Sequence, residues 1–155
     1  MKTTKYSFII MLFTVLTVFS SCKKDNETVP AKSKTELLAG VSSKTWKIAN
    51  YQVSYSGVTT SLFNWLEDCS QDDITIFSSN KNFEEKEGNT KCETHDLIDS
   101  GTWNLSSDET TLTMSYQDGY TEVGKIIELS ALTLKFEVAD PSKSGSKVIY
   151  TFKAQ

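Results

Sequence analysis

Residues 132–138 read LTLKFEV, and residues 147–153 read KVIYTFK. In the first, Leu132, Leu134, Phe136 and Val138 alternate with Thr133, Lys135 and Glu137; in the second, Val148, Tyr150 and Phe152 alternate with Ile149 and Thr151. Successive side chains of an extended chain point to opposite sides, so a period of two gives one apolar face and one mostly polar face. That is the pattern of a strand with one face buried and one wet. Moving outward, Leu112, Met114 and Tyr116 repeat it around Thr113 and Ser115, and Trp103/Leu105, Ile74/Ile76 and Ile127/Leu129 give shorter versions. The stretch TWKIANYQVSY, residues 45–55, changes phase midway: Trp46 and Ile48 fall on one face, Tyr51, Val53 and Tyr55 on the other. One extra residue near Ala49-Asn50, a β-bulge, accounts for the switch.

Turn chemistry separates these runs at Ser79-Asn80-Lys81-Asn82, Ser106-Ser107-Asp108-Glu109, Asp118-Gly119 and Asp140-Pro141 through Gly145. Eight strands follow, near 44–55, 73–78, 82–87, 100–105, 110–116, 121–129, 131–138 and 147–154. Short connections favour antiparallel neighbours, and eight such strands suit an all-β, up-and-down barrel, with a two-sheet sandwich as the alternative. Before them, Thr35-Glu-Leu-Leu-Ala-Gly40 predicts a short N-terminal helical turn with Thr35 as N-cap and Gly40 as its stop. The expected interior set is Trp46, Ile48, Ile74, Ile76, Phe83, Trp103, Leu105, Leu112, Met114, Tyr116, Ile127, Leu129, Leu134, Phe136, Val148, Tyr150 and Phe152. An eight-stranded barrel is just wide enough to be filled by side chains or to hold one small ligand. The tryptophans Trp46 and Trp103 are expected to fill a closed end, leaving any cavity small, apolar and toward the other rim.

The N-terminus carries a separate message. Lys2 and Lys5 precede Phe8–Phe19, twelve residues without charge, Gly or Pro, and Ser20-Ser21-Cys22 follows. Twelve helical residues reach about 18 Å, short of a hydrocarbon core of about 30 Å. A basic start, a short apolar run and small residues at its end read as a secretory signal, residues 1–21. Phe19-Ser-Ser-Cys22 resembles the lipobox of bacterial lipoproteins, which implies that the Cys22 sulfur takes a diacylglycerol and becomes the new N-terminus. Two or more acyl chains hold a protein stably at a bilayer without a spanning helix. Residues 22–34, with KKDNETVPAKSK after the cysteine, then form a lipid-anchored flexible tether reaching about 40 Å when stretched. Residues 35–155 form the domain. The expected location is the outer membrane, on its periplasmic or cell-surface face.

Without residues 1–21 the chain holds 14 lysines against 20 Asp and Glu, a net charge of −6, and no Arg. Nucleic-acid binding needs a basic footprint, so DNA and RNA are not expected partners. Cys69 and Cys92 are an even pair in an exported chain, which reads as a disulfide across the second and third predicted strands. A metal or reactive thiol aided by His95 is the competing reading, and one lone His supports it poorly. No catalytic residue, metal or cofactor is assigned: there is no phosphate-binding glycine loop and no nucleophile elbow, and the single His gives a triad nothing to rest on but itself. Glu67-Asp68, Asp72-Asp73 and Glu84-Glu85/Glu87 lack the spacing and turn glycine of a calcium loop and read as solvated acidic faces.

One stretch invites a ligand. Ser61-Leu-Phe-Asn-Trp-Leu-Glu67 lies in the long connection between the first two predicted strands, with Leu62, Phe63, Trp65 and Leu66 clustering on one side of a helical turn. It is either a plug for one barrel end or a lid over a portal, with Trp65 foremost and Tyr116 beneath it as ligand-binding residues.

Leu38-Ala-Gly, Thr45-Trp46-Lys-Ile, Asp68-Cys69-Ser-Gln-Asp-Asp73, Phe83, Cys92, Gly101-Thr-Trp103-Asn-Leu-Ser and Thr111-Leu112-Thr, in that order, resemble the lipocalin-like domain of exported Bacteroidota lipoproteins. Trp46 also resembles the tryptophan that plugs a lipocalin barrel, with Lys44 where lipocalins carry Gly. The resemblance implies an eight-stranded lipocalin-like barrel and no settled activity. Two functions follow as expectations. One is a monomeric, lipid-anchored envelope protein binding a small apolar or amphipathic ligand; the other is a protein-binding accessory or inhibitor module using one barrel rim.

Overall fold

The computed structural model describes residues 31–92 and 98–155; Cys22, the expected signal segment, most of the expected tether and His95 lie outside them. A short helix α1 (Lys34–Ala39) precedes nine strands: β1 (Ser43–Tyr55), β2 (Val58–Ser61), β3 (Ile74–Ser78), β4 (Asn82–Lys86), β5 (Ile98–Leu105), β6 (Thr111–Tyr116), β7 (Thr121–Leu129), β8 (Thr133–Ala139) and β9 (Lys147–Ala154). All pairings are antiparallel; β1 pairs with β2, β3 and β9, and from β3 onward each strand pairs with the next, so β1 and β3–β9 close an eight-stranded barrel. Closure removes the free edges that an open sheet would leave.

The ninth strand, β2, was not expected. It folds back on the outer half of β1 through Ser56-Gly57, where both residues have positive φ, 50° and 80°. That geometry is what a two-residue hairpin turn requires. The bulge in β1 is where the phase switch placed it, between Ile48 and Asn50 in the pairing with β9. It returns Tyr51 to the inner face.

Two strands correct the expected interior. In β3, Thr75 and Phe77 are buried, while Ile74 and Ile76 are only partly covered. Register decides this: Thr75 lies opposite the fully buried Trp46 and Ile76 opposite Thr45, and a one-residue choice flips the whole strand. In β7 a bulge between Ile126 and Glu128 turns Ile126 toward the core and leaves Ile127 48% exposed.

One end of the barrel is packed shut. Trp46, Phe77, Phe83, Trp103, Leu112 and Leu134 are all buried there against Leu38 and Ala39 of α1. The Trp46 indole donates to the Leu38 carbonyl at 2.8 Å, and the Trp103 indole to the Ser78 carbonyl at 3.0 Å. Lys44, in the position where a glycine was the point of comparison, donates to the carbonyls of Leu37 and Ala131 at 2.7 and 2.8 Å. It thereby ties α1 to the β7–β8 turn while lying over the Trp46 ring. The N-cap of α1 is Ser33, whose hydroxyl accepts from the Glu36 amide, rather than Thr35; Gly40 ends the helix at φ 65° as expected.

Candidate functional site

The other end is open. Here the inner faces of the strands surround a cavity of about 360 Å³. Its apolar wall comes from Ile48, Phe77, Met114, Phe136 and Phe152, and its aromatic polar wall from Tyr51, Tyr116 and Tyr150. Tyr150 is the hub of the aromatic side, with ring centroids 5.6 Å from Tyr51 and 5.4 Å from Phe136. Tyr116 stands edge-on to Phe83 at 5.0 Å, which links the cavity to the closed core beneath it.

Two glycines make the rings fit. Gly101 lies opposite both Phe83 and Tyr116, and a Cβ there would sit 2.0 Å from the Ser115 carbonyl oxygen and 2.8 Å from the Phe83 ring. Gly124, opposite Val138, leaves space for the Phe136 ring, 2.6 Å from where its Cβ would be.

The cavity is not wholly apolar, against expectation. Asp73, Glu85 and Glu122 line it as well. Glu85 lies opposite Thr75 on one side and Asp99 on the other, so its side chain shares the inner face. It is therefore not part of a solvated acidic face. Burial, with the Glu122 charge next in weight, pushes the Glu85 carboxyl up to about 7, and the Tyr116 hydroxyl donates to its Oε1 at 3.3 Å. Burial raises Glu122 too, and raises Asp73, where Asp72 and Glu87 add to the effect. The phenols of Tyr116 and Tyr150 shift upward for the same reason: burial first, then nearby carboxylates. Glu87 is also buried rather than solvated, accepting from the Cys92 amide at 3.0 Å. Asp72 accepts from the amides of Asn89 and Thr90.

The connection from β2 to β3 forms the remaining wall. It contains two single turns, Phe63–Trp65 and Asp68–Ser70. Leu66 and Ser70 line the cavity. Leu66 is held by the Gln71 side-chain amide, which donates to its carbonyl at 3.0 Å, and the segment begins with the Leu62 amide bonded to the Tyr51 carbonyl. Cys69 is disulfide-bonded to Cys92, Cα to Cα 5.3 Å, at the open end of the β3–β4 hairpin. Of the expected ligand-binding residues, Leu66 and Tyr116 reach the cavity. Leu62 and Phe63 are half-buried outside its lining, and Trp65 is 85% exposed and takes no part in the lining either. The four apolar side chains do not share a side because a single tight turn of three residues cannot hold them on one stripe. The grouping of Glu67 with the two cysteines offers no metal site, since both sulfurs are in the disulfide.

Tyr51, Asp73, Glu85 and Glu122 were missed as site residues. The signals were present in part: the bulge re-aims Tyr51, and Glu85 keeps the inward phase of Phe83, as Glu122 keeps that of Gly124 and Ile126.

The family described as the Lipocalin-like domain matches residues 43–136, more than half of the chain. Comparison with curated proteins finds no match. Among solved structures, a redesigned β-barrel is similar, with a TM-score of 0.43, 17% identity, and 79% of this chain and 95% of that one covered. The matched segment runs from β1 into β8, through the strands that build both the plugged end and most of the cavity, and the chain belongs to the lipocalin-like domain family.

Proposed function

We propose that the protein binds a small hydrophobic or amphipathic molecule in the barrel cavity while tethered to an envelope membrane through Cys22. The carrying observation is the cavity of about 360 Å³ at the open end, walled by aromatic and aliphatic side chains above a solid core. Pockets of roughly 300–1,000 Å³ with apolar walls and a few polar groups are the usual small-molecule sites. Lipocalin-like domains are typically binding rather than catalytic modules. Among the described residues no helix is long and apolar enough to cross a membrane, so attachment would rest on the lipobox-like FSSC. An outer-membrane location, facing the periplasm or the cell surface, and a monomeric state complete the reading.

The neutral fluorophore N-phenyl-1-naphthylamine tests the cavity: its emission should rise and saturate at one molecule per chain. Absence of saturable binding would defeat the reading. Cys22→Ala should release the protein from the membrane fraction or leave it unprocessed, and unchanged membrane retention of processed protein would remove the anchor.

A second reading, docking of a partner protein, is favoured by Trp65, whose large ring stands in solvent with Val58 also exposed on β2. Aromatic anchors of this kind concentrate binding energy at protein interfaces.

A further inference from the structure

A cavity built only for a fatty chain or a fatty acid has no use for buried carboxylates. Asp73, Glu85 and Glu122 line this one, and no lysine pairs with any of them among the described residues. Lys86 pairs with Glu84 and Lys147 with Glu137, while Lys91 pairs with Glu87 and favours the ionised form of Asp73 only through its charge, without an ion pair to it. Lys44 and Lys81 lie over the tryptophans of the closed end. The chain has no Arg at all. Asp73 Oδ1 is buried without a hydrogen-bond partner among the described residues.

We propose that the cavity selects an organic cation, an ammonium group carried on an apolar or aromatic body, with the ammonium between Glu85 and Glu122 and the body against Tyr51, Tyr150 and Phe136. The inference rests on the reading that the cavity is the ligand site, and it names the ligand class. Three physical arguments converge on it. An uncompensated buried carboxylate is costly, and a cation arriving with the ligand supplies the missing partner. Tyrosine and phenylalanine faces attract a desolvated cation through their quadrupoles, and six such rings line this cavity. The same carboxylates repel an anionic ligand, so the site discriminates against fatty acids as well as for amines.

Proton linkage sharpens the reading. Around Glu85 stand Asp73 from the loop before β3, Asp99 on β5, Tyr116 on β6, Glu122 on β7, and Tyr51 and Tyr150 across the cavity. All are acidic groups or phenols. With Glu85 half-protonated at about pH 7, a cation must displace that proton at lower pH and meets an ionised partner at higher pH.

The test is competition against N-phenyl-1-naphthylamine on the purified protein at pH 8 with three probes of one shape: 2-phenylethylammonium, 2-phenylethanol and 3-phenylpropanoate. The ammonium should displace the fluorophore roughly tenfold better than the alcohol, and the alcohol better than the carboxylate. The ammonium-to-alcohol ratio should fall severalfold at pH 5.5, where the amine is still charged. It should collapse in Glu85→Gln and Glu122→Gln and persist in Glu84→Gln, on the outer face. Equal displacement by all three probes, or preference for the carboxylate, overturns this inference and leaves the cavity reading standing. A fluorophore that does not bind removes both.

Discussion

Replacing Glu85 by Gln should make the protein more stable at pH 8 and change little at pH 4.5. Glu85 faces the cavity with its Oε1 accepting from Tyr116, and burial holds its carboxyl at about 7 against an ordinary value of 4.5. A raised carboxyl means that the folded state binds the proton more tightly than the unfolded chain. Stability from this group is therefore full below about pH 4.5 and is lost as pH rises toward 7. At about 1.4 kcal/mol per pH unit, the span corresponds to about 3 kcal/mol. Gln keeps an acceptor for Tyr116 and never ionises. Urea unfolding followed by tryptophan fluorescence between pH 4.5 and 8 should show the wild type losing stability with rising pH. The Gln variant should lose less by about 3 kcal/mol, with a residual slope from Glu122 and Asp73, which are raised in the same direction. Parallel curves for the two proteins would refute the burial of Glu85 as the cause of its raised carboxyl.

Three further outcomes are expected. Reducing the Cys69–Cys92 bond, which spans 23 positions of sequence, should cost roughly 3.5 kcal/mol in the chain-entropy account, and both thiols should resist labelling until reductant is added. Gly101→Ala should destabilise by on the order of 3 kcal/mol, visible as a depressed thermal midpoint, because its methyl meets the Ser115 backbone at 2.0 Å and the paired strand must shift. Leu66→Ala should weaken N-phenyl-1-naphthylamine binding by roughly 1 kcal/mol through lost wall area, while Trp65→Ala, outside the cavity, should leave it unchanged in the same titration.

The architecture was open to a reader of the sequence because the strands around Leu134, Tyr150 and Met114 keep a strict period of two, and each matches its expected boundaries within a few residues. Even the β1 bulge showed itself, as a change of phase at Ala49-Asn50. Where two adjacent positions are both apolar, pattern loses its power. Ile74-Thr75-Ile76-Phe77 offers two faces of similar hydrophobicity, and only pairing with Trp46 selects Thr75 and Phe77. Lys125-Ile126-Ile127-Glu128 poses the same problem, and a bulge resolves it.

The site was harder to read for a related reason. Exposed carboxylates are common, so Glu85 looked like one more charge on a wet surface, and burial shows itself only when β4 takes its place between β3 and β5. Trp65 misled in the opposite sense. A large apolar residue in a long connection suggests a lid, but the tight turn at Phe63–Trp65 sends Leu66 inward and Trp65 into solvent. The β2 hairpin went unseen because Val58–Ser61 is short, polar and exposed on all its residues.

The central claim is that a ligand sits inside the barrel above its aromatic core. Besides Met1 and Met11, which lie outside the described residues, the chain has a single methionine, Met114, which is buried and lines the cavity. Carbon-13 labelling of methionine methyl groups therefore places one reporter in the cavity wall, identified by its loss in Met114→Leu. On titration with 2-phenylethylammonium or N-phenyl-1-naphthylamine, the account predicts a saturable shift of that signal and cross-relaxation between its methyl and the ligand's ring protons. Saturable binding that leaves the Met114 methyl unmoved would contradict it.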